Sequence, residues 1–212
     1  MYIKWIHCKV QSSQKLSFFL AQQQWNKISS CDGFIFQIGG WSIDNNLNAY
    51  ILCAWKSKNY FDQFMADVHD LITDLNHQED TYLECNVSFF KCKFLMPGKY
   101  NDLQSPIAEG KYLRFADCLI YEDCIEHFIE VQESIWKVEM SQISGMLGGF
   151  FLESDNNSCR FLVVTLWDSI ESHNLYIKTK VSQLRKDAKV SNDLSNISGC
   201  FIELINKWSI YT

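Results

Sequence analysis

Positive charge is nowhere concentrated in this sequence. No run of lysine or arginine exceeds two residues, and 19 basic residues stand against 25 acidic ones, a formal net charge of −6. Such a chain lacks the general attraction that holds nucleic acid or an anionic membrane surface. Long apolar runs are missing too, and none approaches the roughly 18–20 residues that span a bilayer. Residues 1–10 alternate polar and apolar types without a small-residue cleavage site, so no signal peptide is read there. The nine cysteines contain no Cys-x-x-Cys pair, and the Cys85/Cys92 and Cys118/Cys124 spacings do not match a zinc knuckle. Gly-x-Ser-x-Gly, P-loop and His-Glu-x-x-His patterns are absent, and Gly39-Gly40 reads as a strand bulge rather than the start of a dinucleotide loop. The expectation is a cytoplasmic protein with buried, reduced thiols, no metal site, and neither nucleic acid nor membrane as partner.

Hydrophobic residues make up 47% of the chain, aromatic residues 15% and charged residues 21%, a globular composition rich in rings that fill cores or line flat pockets. An internal repeat organises them. Trp55 in ILCAWKS matches Trp167 in VVTLWDS, and Gly33 matches Gly145, both at an offset of 112; Trp25 matches Trp136 at 111 and Cys8 matches Cys118 at 110. Two single-residue insertions account for the drift. Both prolines, Pro97 and Pro106, fall between the copies. The reading is a first module over 1–93, a linker over 94–111 and a second module over 112–212.

Each copy carries the same pattern order. In the first, 2–10 alternates as a strand with Ile3, Trp5 and His7 on one face and Ile6, Cys8 and Val10 on the other. Helical spacing follows over 14–29, then a hairpin of 33–41 and 48–56, a second amphipathic helix over 59–75, and a strand over 81–91. The second copy predicts strands at 113–121, 145–153, 159–168 and 198–211, with helices over 123–140 and 170–187. The order βαββαβ is the ferredoxin-like module. A four-stranded sheet with both helices on one side leaves the other face bare, and here both strand faces carry apolar residues. The sister copy is the nearest cover. The expected fold is therefore α+β, two ferredoxin-like βαββαβ modules in tandem forming a pseudo-dimeric α+β barrel. One chain supplies both halves, so a monomer suffices for barrel closure, and a homo-oligomer is compatible with it.

The run TLWDSIESHNLYI at 165–177 resembles the antibiotic-biosynthesis-monooxygenase and haem-degrading-monooxygenase group, whose members share the dimeric α+β barrel. The stretches KWIHCKV (4–10), GGW (39–41), FMADVHD (64–70) and MPGKYNDL (96–103) resemble the YdbC-like DUF4937 family of tandem barrels from bacilli. The first resemblance implies monooxygenase-like chemistry on a small aromatic or haem-like ligand, with haem as the one cofactor it brings and none otherwise expected. Haem-degrading members use an Asn on the first strand and a Trp and a His on the second helix. Those positions fall here on His7 or Cys8, Phe64 and Asp74 in one copy, and on Asp117 or Cys118, Tyr176 and Lys186 in the other. None of the three residue types is kept.

Candidate catalytic residues are His7, Asp117 and His69. His7 and Asp117 are equivalent strand positions among large apolar neighbours, where a polar side chain needs a partner and an imidazole titrates near neutrality. His69 stands on the second helix, where the other copy has Val181. Candidate ligand-binding residues are Trp5 and Trp41, which have no Trp counterpart, together with Phe64 and Tyr176. Asp70, Asp74 and His77 share a helix face but read as a solvated acidic helix end. The asymmetry places any pocket in the first copy, built from Trp5, His7 and His69. Two functions stay open: a monooxygenase-like enzyme or binder of a small aromatic or apolar molecule, or a non-catalytic structural or interaction protein with a side-chain-filled barrel.

Overall fold

In the computed structural model, which describes residues 1–211, the chain divides into two compact units. One comprises Met1–Lys91 and the segment from Ile202 onward, the other Cys92–Phe201.

The first unit contains β1 (Tyr2–Lys9), β2 (Phe34–Ser42), β3 (Asn48–Trp55) and the first part of β4 (Glu84–Pro97). β1 lies between β3 and β4, antiparallel to both, with Trp5 opposite Leu52 and Ser88. β2 pairs β3. Its helices are Lys15–Gln23, followed by 3₁₀ turns over Gln24–Ser30, and a continuous helix over 58–76.

The second unit repeats this with β5 (Tyr112–Ile120), β6 (Met146–Ser154), β7 (Arg160–Trp167) and most of β8 (Leu194–Leu204). Helices cover 125–140 and 170–188. The registers coincide: Tyr2 and Phe34 oppose Trp55 as Tyr112 and Met146 oppose Trp167, and the same bulge follows Phe34 and Met146. Both 58–76 and 170–188 widen into a single π turn at matching places, Met65–His69 and Ile177–Val181. Among the described residues the hydrogen-bonded strand order is β3–β1–β4–β6–β7–β5–β8–β2, and β2 also pairs β3, so the order closes on itself. The fold is α+β, the barrel topology of two ferredoxin-like modules.

Three local differences from the sequence reading have physical causes. The first helix stops at Gln23 because Asn26, Ser29 and Ser30 are poor helix formers and the Ser29 and Ser30 hydroxyls bond the Asn26 and Lys27 carbonyls. β4 runs on to Pro97 because its alternation continues through Phe94 and Met96, which join the second unit's core. The last strand is not 198–211: β8 ends at Leu204, a 3₁₀ turn spans Asn206–Trp208, and β9 (Ile210–Tyr211) pairs β2. That turn puts Trp208, fully buried, against Phe18 and Trp41.

Trp55 and Trp167 are each completely buried under the helix that follows. Trp55 stacks on Phe64 at 4.8 Å, and Trp167 meets Tyr176 at 5.2 Å. Among the described residues no helix is long and apolar enough to cross a membrane. All nine cysteines are free, but only Cys8, Cys53 and Cys118 are buried and Cys85 is exposed; the expectation of uniformly buried thiols is corrected on that point.

Candidate functional site

Strand alternation sends Lys4, Ile6 and Cys8 of β1 to the helix side of the first unit's sheet. There they meet a cavity of about 550 Å³, within the roughly 300–1,000 Å³ of ordinary ligand sites. Its walls are aromatic, with Trp25, Phe61, Phe64, Tyr82 and Phe89. Polar groups converge on it from three elements. The Trp25 indole donates to Gln78 Oε1, and Gln78 Nε2 donates to Gln22 Oε1 at 2.8 Å. His69, at the end of the π turn, has Nδ1 2.9 Å from Asp70 Oδ1 and its ring 5.6 Å from Trp25 and 5.8 Å from Phe64. A π turn displaces side chains from regular helical spacing and often marks a functional site.

Lys4 is the cation of this cavity. Burial pushes its pKa down, and the neighbouring Cys53, Cys85 and Cys8 partly oppose that. Its ammonium lies 5.9 Å from the Phe61 ring. A desolvated ammonium in an aromatic chamber attracts an anion or gives up its proton more readily than a surface lysine. Cys8 Sγ lies 3.5 Å from Cys85 Sγ on the same wall.

The second unit has the matching place, but only about 60 Å³ of it is open. Arg114 replaces Lys4 and Tyr176 replaces Phe64. At an offset of 112, His69, Gln78, Tyr82 and Cys85 become Val181, Val190, Leu194 and Ile197. Four polar lining positions are thus apolar in the sister copy. Burial lowers the pKa of Arg114 and raises that of Tyr176 to about 12, with Arg114 and Arg185 opposing the latter shift.

The structure brings His69 and Phe64 to the large cavity and Tyr176 to the small one. It does not bring Trp5 or His7 to His69. β1 turns both to the opposite face of the sheet, where His7 Nε2 lies 3.2 Å from Asn48 Oδ1 and its ring stacks on Tyr50 at 4.5 Å. Trp5, buried, stacks on the same Tyr50 at 5.5 Å. Asp117 is held by Arg160, whose Nε and Nη2 donate to its two oxygens at 2.9 and 2.6 Å. Trp41 packs in the Phe18–Trp208 cluster, with Lys15 Nζ 4.8 Å from its ring.

Lys4, Gln22, Gln78, Tyr82 and Cys85 are among the lining residues that sequence reasoning missed. A signal for Lys4 existed: a basic residue recurs at positions 4 and 114, two residues before Ile6 and Ala116 on the helix-facing side of the first strand. Cys85 carried none, because its place opposite Cys8 is set by strand register.

The family model for the domain of unknown function DUF4937 matches residues 2–90, the module that holds the large cavity. The protein YdbC of Bacillus subtilis (strain 168) is 37% identical over 93 residues, which are 43% of this chain and 78% of YdbC. Among solved structures, a monooxygenase candidate from Fusobacterium nucleatum superposes with a TM-score of 0.78 at 9% identity, over 100% of this chain and 94% of that one. Another from Lactobacillus acidophilus NCFM gives 0.74 at 10%, over 100% and 98%. An anthrone oxidase-like protein gives 0.71 at 10%, over 97% and 91%. At such identities these likenesses speak for the fold alone, whereas the relative at 37% identity, most of whose length is matched, settles descent: this chain belongs to the DUF4937 family.

Proposed function

We propose that the first module takes up a small, flat aromatic molecule bearing an acidic oxygen, and that it runs monooxygenase-like chemistry on that molecule. The observation that carries this reading is Lys4, half-buried on the wall of an aromatic-lined cavity of about 550 Å³ and desolvated enough to lower its pKa. Rings on the walls would stack the substrate, and the Lys4 ammonium would hold its phenolate or enolate oxygen. His69, oriented by Asp70, is the base that would remove a proton. A deprotonated, electron-rich ring system can itself reduce dioxygen: a ring CH2 and O2 become a carbonyl and water, with all four electrons drawn from the substrate. The chain's part is to bind, orient and take the proton.

Haem fits this donor set poorly. His69 offers one imidazole, but two propionates would share Lys4, the single lysine on the wall, which holds its proton less firmly than a surface lysine, and Asp70 and Glu79 also line it. An open chamber of this size also favours a ligand-binding module over a wholly filled one.

The test is calorimetric titration with 2-hydroxy-1,4-naphthoquinone, an anionic flat probe, alongside oxygen uptake with anthrone. Wild-type protein should bind the probe. Lys4→Met should weaken binding at least about tenfold, or about 1.4 kcal/mol, and His69→Ala should lower oxygen uptake with little change in affinity. Equal affinity in Lys4→Met and wild type, or no binding by either, refutes the reading.

A further inference from the structure

Cys8 and Cys85 stand directly opposite each other on the antiparallel strands β1 and β4. Directly opposed residues on such strands lie about 4.5 or 5.5 Å apart at Cα, and both values are within the span of about 4.4–6.8 Å that a disulfide bridges. The sulfurs are already in contact at 3.5 Å. Both line the cavity, and Cys85 is exposed whereas Cys8 is buried. One sulfur can thus be reached by a small reagent while the other waits behind it. The second copy has no such pair, because Cys118 keeps the place of Cys8 while Ile197 takes that of Cys85.

We propose that Cys8 and Cys85 form a reversible dithiol–disulfide couple that reduces low-molecular-weight disulfides, with Cys85 as the attacking sulfur and Cys8 as the resolving one. In the first step the Cys85 thiolate attacks one sulfur of a disulfide RSSR, forming a Cys85–S–S–R bond and expelling RS⁻. In the second, Cys8 loses its proton to solvent and attacks the Cys85 sulfur, forming Cys8–S–S–Cys85 and expelling the other RS⁻. The protein dithiol loses two electrons, and RSSR gains them as two thiols.

The electrostatics assign the same roles. The Cys8 thiol donates to Cys85, and Lys4 and the Tyr82 hydroxyl add to this, so the Cys85 pKa is lowered to about 7 although burial opposes the shift. That same hydrogen bond, with burial, raises the pKa of Cys8. A thiol poised near ambient pH is the better nucleophile. This couple does not depend on the aromatic ligand proposed above.

Full-length protein equilibrated with glutathione buffers of graded oxidised-to-reduced ratio, then alkylated and digested, reads the couple directly. A Cys8–Cys85 cross-linked peptide should accumulate as the buffer becomes more oxidising and disappear on return to reduced glutathione. Cys8→Ser should instead trap glutathione on Cys85, and Cys85→Ser should give neither product on this pair. The exchange rate should rise with pH through about 7, and Lys4→Met should move that midpoint upward, a change that a purely structural pair would not show. A wild-type protein whose Cys8 and Cys85 stay as thiols, or as separate adducts, when other cysteines are oxidised overturns the proposal. So does trapping on Cys8 rather than Cys85.

Discussion

Lys4, Arg114 and His173 show how one side chain's surroundings decide its chemistry. The first two are the same position in two copies, yet Lys4 looks into an open chamber and Arg114 into a nearly closed one. His173 matches Phe61 at an offset of 112 and is treated by the fold as an aromatic. It is 7% exposed, stacks on Phe201 at 4.0 Å and meets Trp167 edge-on at 5.2 Å. Burial, then the Arg114 charge, lowers its pKa to about 4. In the unfolded chain it returns to about 6.5, so the unfolded state takes up the proton first as pH falls. Its contribution to stability is complete above about pH 6.5 and is lost as pH falls toward about 4. Allowing for partial screening, the loss should be about 1–2 kcal/mol. Urea denaturation between pH 7 and 4 should show this slope in wild type and a flatter one in His173→Phe. Equal slopes would mean that the imidazole takes up its proton as readily in the fold as in the unfolded chain.

Elements repeat more faithfully than side chains do. The β2 and β6 bulges, the π turns at Met65–His69 and Ile177–Val181 and the two left-handed glycines recur at an offset of 112, whereas a third π turn at Gln132–Trp136 stands where the first copy passes from helix into 3₁₀ turns. Gly33 has φ +73° and Gly145 φ +84°; a Cβ at Gly33 would collide with the Tyr60 ring, and one at Gly145 with the Ser172 side chain. Each glycine ends the turn into the second strand of its module while the following helix lies close above it. Gly33→Ala and Gly145→Ala should each cost about 1–3 kcal/mol, measured as a shift in the denaturation midpoint. A neutral effect at either would show that the helix start yields easily. This pattern was legible because glycine and tryptophan are sparse and each does something another residue cannot. The helix-to-3₁₀ change at Gln24 was less legible, since the periodicity of Phe18, Ala21, Trp25 and Ile28 suits either geometry.

At the scale of the whole molecule, chain order and spatial units do not coincide. The segment from Ile202 belongs to the first unit, where Ile202–Leu204 and β9 pair β2 and Trp208 is completely buried. The Trp208 indole also donates to the Phe19 carbonyl at 3.2 Å. A chain ended after Phe201 should therefore lose protection in residues 34–42 and lower the stability of the first unit. Trp208→Ala in the full chain should alone cost about 3–5 kcal/mol. Hydrogen exchange resolved by peptide would report both, and unchanged protection of β2 in the shortened chain would contradict the assignment.

The sequence by itself determined the duplication and the βαββαβ order of each copy. Those features are local: period, turn chemistry and rare residues act within a few positions of themselves. The tertiary structure decided which polar residues share a space. His7 and His69 both stand out in the sequence, yet a strand sends alternate side chains to opposite faces, and β1 gives the helix-side cavity Lys4 and Cys8 instead of Trp5 and His7. Cys8 meets Cys85 across 77 residues because the β1–β4 register aligns them. Register depends on the packing of a whole sheet, and no spacing in the chain encodes it.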